Sequence, residues 1–284
     1  MDLSKKLGLL LGPIFFFILL NLPNTLVSEK GDAVIAVAVW MVVWWITEAV
    51  SISVAALLPL ILFPLLKIMP INDVGANYGS PIIFLFFGGF VMALALEKVN
   101  LHKRIALNII RITGTTPNKV VLGFMIATAA LSMWISNTAS TVVMLPIAMS
   151  VIGLLVNDAD GFTKDDRNFA LNVMLGIAFS ANAGGIATVI GTPPNSILIG
   201  LLENEYNIEI SFLKWMVVGL PFSTILVTIC YLVLVKWFFP NKQLKFTGSK
   251  QIIQEELKKL GPTSRKEKMV LTIFGITVFL WIFR

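Results

Sequence analysis

An all-α membrane protein with several spanning helices is the fold class that this sequence predicts, and three observations predict it. The 284 residues are 57% hydrophobic and 13% charged, and their mean hydropathy of +0.86 lies above that of soluble globular domains. Apolar segments of membrane-spanning length recur along the chain, with polar loops between them. Basic residues collect in alternate loops, as the positive-inside rule requires of a polytopic protein.

The apolar segments divide the chain into consecutive helical units. A spanning helix needs about 20 apolar residues, and tilt or kinks widen that range. The fifth unit has two arms, the sixth is interrupted, and a further apolar segment starts near Met269 and reaches Arg284 without a polar flank. We therefore expect the chain to be truncated within a helix. The seven complete units are 7–28, 33–50, 52–67, 81–98, 119–156, 168–202 and 212–239.

The loops give an orientation. With a cytoplasmic N-terminus, most Lys and Arg residues fall inside, and only Lys30, Lys67 and Lys214 fall clearly outside. Because the basic residues lie in loops and form no aromatic-interleaved patch, the net charge of +6 does not indicate a nucleic-acid partner. Residues 101–112 and 251–260 are predicted to form amphipathic helices at the cytoplasmic surface.

Few residues offer catalytic or metal-binding chemistry. The single Cys230 lies in an apolar helix and is expected to face lipid or the core, and the single His102 lies in a basic loop and is expected to be solvated. Glu48 and Glu97 are expected at helix ends in interfacial or ion-paired positions. An acidic loop is expected to be solvated rather than to bind a metal, and it contains Asp158, Asp160, Asp165 and Asp166.

The two arms at 119–156 meet at Ser136-Asn137-Thr138. These residue types are preferred N-caps, so the second arm would direct free N–H groups and its positive dipole end at a neighbouring ligand. With Ser132 one turn earlier, the tip supplies hydroxyl and amide oxygens for a small hard cation and donors for a carboxylate. An ordinary tight turn at the outer surface, with Trp134 as an interfacial anchor, is the alternative, although such turns usually contain Gly, Pro or Asp.

A second interruption lies at Gly191-Thr192-Pro193-Pro194-Asn195. Adjacent prolines remove two N–H donors and preset a new helix start, so the carbonyls of about 190–192 lose their helical partners. Unpaired backbone groups survive at membrane depth only where protein or a hydrated cavity surrounds them. A simple proline kink is the alternative. Two interruptions in one chain indicate an ion-binding or transport site.

Apart from Lys119 at the start of the first, neither interrupted unit contains a basic side chain. No Lys or Arg occurs between Lys119 and Lys164, or between Arg167 and Lys214. The charge of a bound anion must therefore be offset by helix N-termini, by polar donors and by co-bound cations. This pattern favours cation-coupled uptake, because the membrane potential contributes about 2.3 kcal/mol per 100 mV for each unit charge.

The two motifs at these positions resemble those of the divalent anion:sodium symporter family, whose members carry di- and tricarboxylates or sulfate. Residues 44–49 (Trp-Trp-Ile-Thr-Glu-Ala), 86–90 (Phe-Phe-Gly-Gly-Phe) and 280–284 (Leu-Trp-Ile-Phe-Arg) extend the resemblance over the whole chain. Ser51 stands where the family pattern has a proline, which affects only the local bend.

The resemblance implies an elevator-type transporter built from two inverted repeats, of which this chain is the first, with a re-entrant helical hairpin and a discontinuous helix. It implies a homodimer, and a missing C-terminal half that supplies a second Ser-Asn-Thr hairpin and a second sodium site; a lone half should not transport. The implied substrate-binding residues are Ser136, Asn137, Thr138, Thr192, Pro193 and Asn195. The implied sodium ligands are Ser132, Ser136, Asn137 and Gly191.

The same resemblance suggests a division into segments. Residues 119–205 would be the transport-domain part, with the hairpin and the interrupted helix. The other segments would be 1–100, largely scaffold spans; 101–118, a cytoplasmic interfacial helix; 206–240, a membrane span; 241–268, a cytoplasmic amphipathic linker; and 269–284, the start of the next span.

The function predicted from these observations is secondary active transport of a divalent organic anion, such as succinate, malate or fumarate, coupled to sodium across the cell membrane. A sodium-independent dicarboxylate, citrate or sulfate exchanger is the alternative, and it would need fixed positive charge from the missing half. We do not expect an enzyme, because the acidic loop lacks the helical i, i+4 placement of paired metal ligands. A passive channel would need a pore ring formed by oligomerisation.

Overall fold

The computed structural model describes residues 2–22, 28–114, 116–156, 163–240 and 249–283, and within these ranges the chain is helical and contains no β-strand. This confirms the predicted all-α class. A π-helical turn, Val233–Phe238, continues the twelfth helix. The helices are α1 (Leu3–Asn21), α2 (Glu29–Thr47), α3 (Ile52–Ala55), α4 (Leu58–Leu65), α5 (Ile71–Tyr78), α6 (Pro81–Lys98), α7 (Leu101–Thr113), α8 (Pro117–Ser132), α9 (Asn137–Val156), α10 (Lys164–Gly185), α11 (Pro193–Tyr206), α12 (Phe212–Leu232), α13 (Ser249–Lys259) and α14 (Arg265–Phe283).

Four helical segments of the described chain are long and apolar enough to cross a membrane: Leu3–Asn21, Glu29–Thr47, Ile71–Lys98 and Phe212–Phe238. Shorter apolar helices cover 52–65, 117–132 and 137–153. The chain is therefore a multi-pass membrane protein. The predicted unit 52–67 divides into α3 and α4, and the sequence reading missed α5, which is only eight residues long.

The chain forms two compact units, Met1–Phe84 and Leu85–Arg284. In the first unit, α1 and α2 pack closely because Gly12 has no side chain: a Cβ there would lie 2.6 Å from Cδ1 of Trp40. Phe16 of α1 is buried against α2 one turn further along. The expected ion pair of Glu48 is confirmed, with Lys5 Nζ 3.3 Å from its carboxylate.

In the second unit, α8 is the most enclosed helix, and it packs against α7, α9 and α10. Phe124 and Met125 are fully buried in the main apolar cluster of this unit. Helix α10 approaches α8 until the backbones touch, since a Cβ on Gly184 would lie 2.4 Å from the carbonyl oxygen of Ala129. This close contact fixes the ends of both helices beside each other.

The predicted amphipathic helices are present as α7 and α13, and Ile253, Leu257 and Leu260 pack on the main apolar cluster. Lys259 Nζ lies 2.7 Å from the carboxylate of Glu256 on the same helix. Lys103 of α7 also pairs with Glu256, at 3.2 Å, so α7 and α13 are joined by charge as well as by apolar packing.

Two expectations of solvated side chains are wrong. His102 is only 4% exposed, and its Nδ1 lies 2.9 Å from the carbonyl oxygen of Leu96, because α7 folds back on the end of α6. Asp166 is buried, and its carboxylate accepts the backbone N–H of Thr163 at 2.7 Å in a capping box at the start of α10. Asp158 and Asp160 lie outside the described residues.

Candidate ion and substrate site

Two irregular segments of the second unit lie against each other. The first, 133–136, connects α8 to α9, and the second, 186–192, connects α10 to α11. Thr188 joins them, because its hydroxyl donates to the carbonyl of Met133 at 2.5 Å and accepts the N–H of Gly191 at 3.1 Å. Both interrupted regions that the sequence singled out therefore belong to one place in the fold.

Oxygen atoms converge around Ser132 at this place. Its Oγ lies 2.7 Å from Oδ1 of Asn137 and 2.7 Å from the carbonyl oxygen of Ala181. A hydroxyl has one hydrogen to donate, so it satisfies only one of these two acceptors at a time. Ser132 is fully buried, and the surplus of buried acceptor oxygens suits a small hard cation.

Gly185 lets two oxygens approach the α10 backbone next to this cluster. A Cβ on Gly185 would lie 2.5 Å from Oδ1 of Asn137 and 3.3 Å from the carbonyl oxygen of Gly191. The Asn137 and Gly191 oxygens therefore lie close together beside Gly185, an approach that a side chain at position 185 would block. No donor among the described residues reaches the Gly191 carbonyl.

Side-chain donors take up most carbonyls that the helix break leaves unpaired. Nδ2 of Asn195 donates to the carbonyls of Gly185 and Thr188, at 2.9 and 2.8 Å. Ser196 Oγ donates to the carbonyl of Val189 at 2.8 Å. Trp215 Nε1 donates to the carbonyl of Ile186 at 3.0 Å. The expected run of free carbonyls is thus reduced, since the Thr192 carbonyl also accepts the N–H of Asn195, at 3.2 Å. The Gly191 oxygen remains for a ligand.

The other predicted site residues lie at two helix starts. Ser136 is exposed and accepts the N–H of Ala139 at 3.2 Å, so it caps α9 and forms no described hydrogen bond with Ser132 or Asn137. Thr138 is exposed in the first turn of α9. Thr192 and Pro193 begin α11, where Thr192 makes no side-chain capping bond.

Asn195 has a bracing role in this arrangement. It is buried, and both hydrogens of its amide are used on backbone carbonyls, so its nitrogen has none left to donate to a carboxylate. Of the predicted ligands, the structure brings Ser132, Asn137 and Gly191 together. Their binding of sodium, and the substrate contacts of the remaining residues, stay predictions.

Sequence reasoning missed four contributors: the Ala181 carbonyl, Asn182, Gly185 and Thr188. Asn182 accepts the Nδ2 hydrogen of Asn137 at 3.0 Å and so turns Oδ1 of Asn137 towards Ser132. A usable signal was present, because residues 180–185 read Ser-Ala-Asn-Ala-Gly-Gly directly after the apolar stretch 173–179. Small residues there permit close helix approach, and the amide of Asn182 is a polar group that needs a partner.

The site contains no fixed charge. Residues 120–156 and 168–202 include no Lys, Arg, Asp or Glu. At the start of α9, Ser136 accepts the N–H of Ala139, and no described hydrogen bond takes the N–H groups of Asn137 and Thr138. The helix dipole adds a partial positive charge there. The site can therefore offer oxygens to a cation on one side and N–H donors to an anion on the other.

Comparison with known proteins agrees with this chemistry. The family described as the sodium:sulfate symporter transmembrane region matches residues 3–284. The chain is 40% identical over 287 residues to the sodium-dependent dicarboxylate transporter SdcS of Staphylococcus saprophyticus subsp. saprophyticus, covering 100% of the chain and 55% of that protein. It is also 40% identical to the SdcS protein of Staphylococcus aureus strain USA300, over 99% of the chain and 55% of that protein.

The chain thus spans about half the length of the curated relatives it matches. These relatives are named as transporters rather than enzymes, which agrees with the expectation from the sequence. The family match covers nearly every residue, including both interrupted segments and the oxygen cluster between them. The chain therefore belongs to the divalent anion:sodium symporter family.

Proposed function

We propose that this chain is the N-terminal part of a secondary active transporter that couples uptake of a divalent organic anion to sodium. The names of the relatives, sodium-dependent dicarboxylate transporters, support a dicarboxylate such as succinate, malate or fumarate as the substrate. The observation that carries the proposal is the cluster of oxygens from Ser132, Asn137, Ala181 and Gly191 beside Gly185.

Sodium is the ion that fits this cluster. The oxygens are two backbone carbonyls, one amide oxygen and one hydroxyl, all neutral, and no carboxylate lies in the two segments that form the site. Divalent cations favour carboxylate-rich sites, whereas transporters bind sodium with unwound backbone carbonyls and neutral side chains. We therefore assign sodium to this oxygen cluster beside Gly185.

The anion would bind next to the cation, at the start of α9. Thr138 and the preceding residues of the tip present N–H and hydroxyl donors there, and no basic side chain competes. A dicarboxylate carries two negative charges, so bound sodium supplies part of the positive charge that the protein lacks. Sodium binding would then precede anion binding.

The larger assembly follows the family expectations. We propose that α8 and α9 form a re-entrant hairpin and that α10 and α11 form one discontinuous helix, so that both interruptions lie at mid-depth in the bilayer. The complete transporter would be a homodimer in the cell membrane with cytoplasmic N-termini. It would include a C-terminal half with a second inverted repeat, and transport would follow an elevator motion.

Ligand-dependent stability of the purified chain in lipid nanodiscs tests the proposal. A ligand that binds only the folded state raises the melting temperature in proportion to the logarithm of its concentration. We expect sodium chloride to raise it more than choline chloride at equal ionic strength, and succinate to raise it further only when sodium is present. Equal stabilisation by succinate in choline would instead support the sodium-independent exchanger.

A further inference from the structure

A cavity of about 620 Å³ that is open to the surface lies between α7 and α13, at the end of the second unit where α8 and α14 begin. It is separate from the oxygen cluster and has no part in the proposed transport. The lining residues are Arg111, Gln254, Leu257, Lys258, Gly261 and Pro262.

The charges that line this cavity are both positive and both available. Among the described residues, the side chains of Arg111 and Lys258 make no ion pair or hydrogen bond. The neighbouring cations are paired differently: Lys103 and Lys259 share Glu256, and Arg104 binds Glu267. Glu256 and Glu267 are thus already paired, and Glu255 is exposed on α13; none of these three carboxylates lines the cavity.

The turn after α13 forms one wall of the cavity, and Arg104 of α7 holds this turn in place. Arg104 donates to the carbonyls of Gly261 and Leu260, at 3.0 and 3.2 Å, and to both oxygens of the buried Glu267 carboxylate. Gly261 has a φ of +66°, a conformation that glycine adopts without strain. A ligand therefore meets a formed site and does not have to order this turn.

Neighbouring side chains place this end of the unit at a membrane surface. Ile112, next to Arg111, is 79% exposed. Tyr231 of α12 donates to the carbonyl of Asn118 near the start of α8, at 3.3 Å, so α12 ends on the same side of the unit. Trp237, in the turn that continues α12, is 78% exposed. Exposed Trp and Ile beside cations are typical of the bilayer interface.

We propose that this cavity binds the phosphate group of an anionic phospholipid headgroup. Arg111 and Lys258 would bind the phosphate oxygens, Gln254 would donate to a headgroup hydroxyl or ester oxygen, and Leu257 with Pro262 would contact the glycerol carbons. A soluble phosphate carries the same charge as the headgroup phosphate, but it has no apolar part that could contact Leu257, Pro262 or Ile112. The lipid is thus the better fit.

Native mass spectrometry of the full chain in detergent tests this assignment, with phosphatidylglycerol and phosphatidylcholine of identical acyl chains as probes. We expect preferential binding of phosphatidylglycerol. The double variant Arg111→Gln with Lys258→Gln should bind it about tenfold more weakly. The control, Arg265→Gln with Lys266→Gln, removes the same two charge types from exposed positions outside the cavity and should bind as the wild type does.

Three results would overturn the proposal. They are equal binding of the two lipids, an equal loss in both double variants, and complete displacement of phosphatidylglycerol by millimolar inorganic phosphate, which would assign the cavity to a soluble anion. Both cavity side chains are exposed, so circular dichroism should show unchanged helicity. The charge-retaining exchange Arg111→Lys with Lys258→Arg should keep most of the binding, and loss of binding there would count against simple phosphate pairing.

Discussion

Gly185 and Asn137 are placed so that a Cβ on the glycine would lie 2.5 Å from Oδ1 of the asparagine. No real Cβ atom approaches an oxygen so closely, so the glycine is required for the present position of the amide. The same Cβ would lie 3.3 Å from the carbonyl oxygen of Gly191. The missing side chain thus allows both of these proposed sodium ligands to lie beside Gly185.

Gly185→Ala should therefore abolish sodium binding. The methyl group would displace the amide oxygen of Asn137, one of the proposed ligands, at a cost in folding stability of about 1–3 kcal/mol. Gly275→Ala is the matched control, because nothing lies within 4 Å of a Cβ there. Sodium-dependent shifts in melting temperature would measure the effect, and an undiminished shift in Gly185→Ala would argue against this location of the ion.

Asn182→Ala should weaken sodium binding without removing any ligand. Asn182 accepts the Nδ2 hydrogen of Asn137 and so orients its oxygen. Loss of one such hydrogen bond is worth about 1 kcal/mol, or about a fivefold change in affinity. Phe179→Ala, an exposed position on the same helix, should leave affinity unchanged. Equal affinities of the two variants in a sodium titration would show that Asn182 has no positioning role.

The sequence located the two interruptions to within a few residues because their causes are local. Adjacent prolines at Pro193-Pro194 start α11, as proline does at first helical positions, and Ser136 caps the start of α9. The partners within the site were less predictable, since Ser132 and the Ala181 carbonyl are 49 residues apart in sequence. Contacts of that separation depend on how α8 and α10 pack, which periodicity does not specify.

Arg104→Ala should destabilise the second unit by about 3 kcal/mol, because it leaves the Glu267 carboxylate buried without its partner. Lys259→Ala is the matched control, since its pair with Glu256 is solvent-exposed and should matter little. Chemical denaturation in detergent would measure both changes. Similar small effects from the two variants would mean that the Arg104 pair is already well hydrated.

Because Arg104 pairs with the carboxylate of Glu267, we expect the stability of the fold to depend on pH. Burial is the largest influence on Glu267 and raises the pKa of its carboxyl, but hydrogen bonds from Arg104 and Ser264 and the Arg104 charge together lower it below 4.5. A lowered folded-state pKa means that the carboxylate stabilises the fold above about pH 4.5, and this stabilisation is lost as the pH falls through the folded-state value.

Thermal melts of the wild type and Glu267→Gln between pH 7 and pH 3 would show this effect. The wild type should melt at a higher temperature at pH 7, and the difference should shrink below about pH 4.5. A constant difference across that window would mean that the ionised form of Glu267 is not the source of the stability.

The wrong expectations for His102 and Asp166 have a common physical cause. Both residues stand in polar stretches that look like solvated loops, but both occupy helix starts that fold back against the unit. A polar side chain there is buried because it satisfies nearby backbone groups. Composition alone does not distinguish such a residue from one in a hydrated loop.

Sodium binding by Asn137→Ala, compared with the wild-type chain in the same nanodiscs, tests the central claim most directly. The account predicts that the sodium-dependent rise in melting temperature disappears together with the sodium-dependent effect of succinate, while helicity by circular dichroism is retained. Unchanged sodium affinity in a folded Asn137→Ala protein would contradict the claim that this amide oxygen is part of a site shared by the cation and the anion.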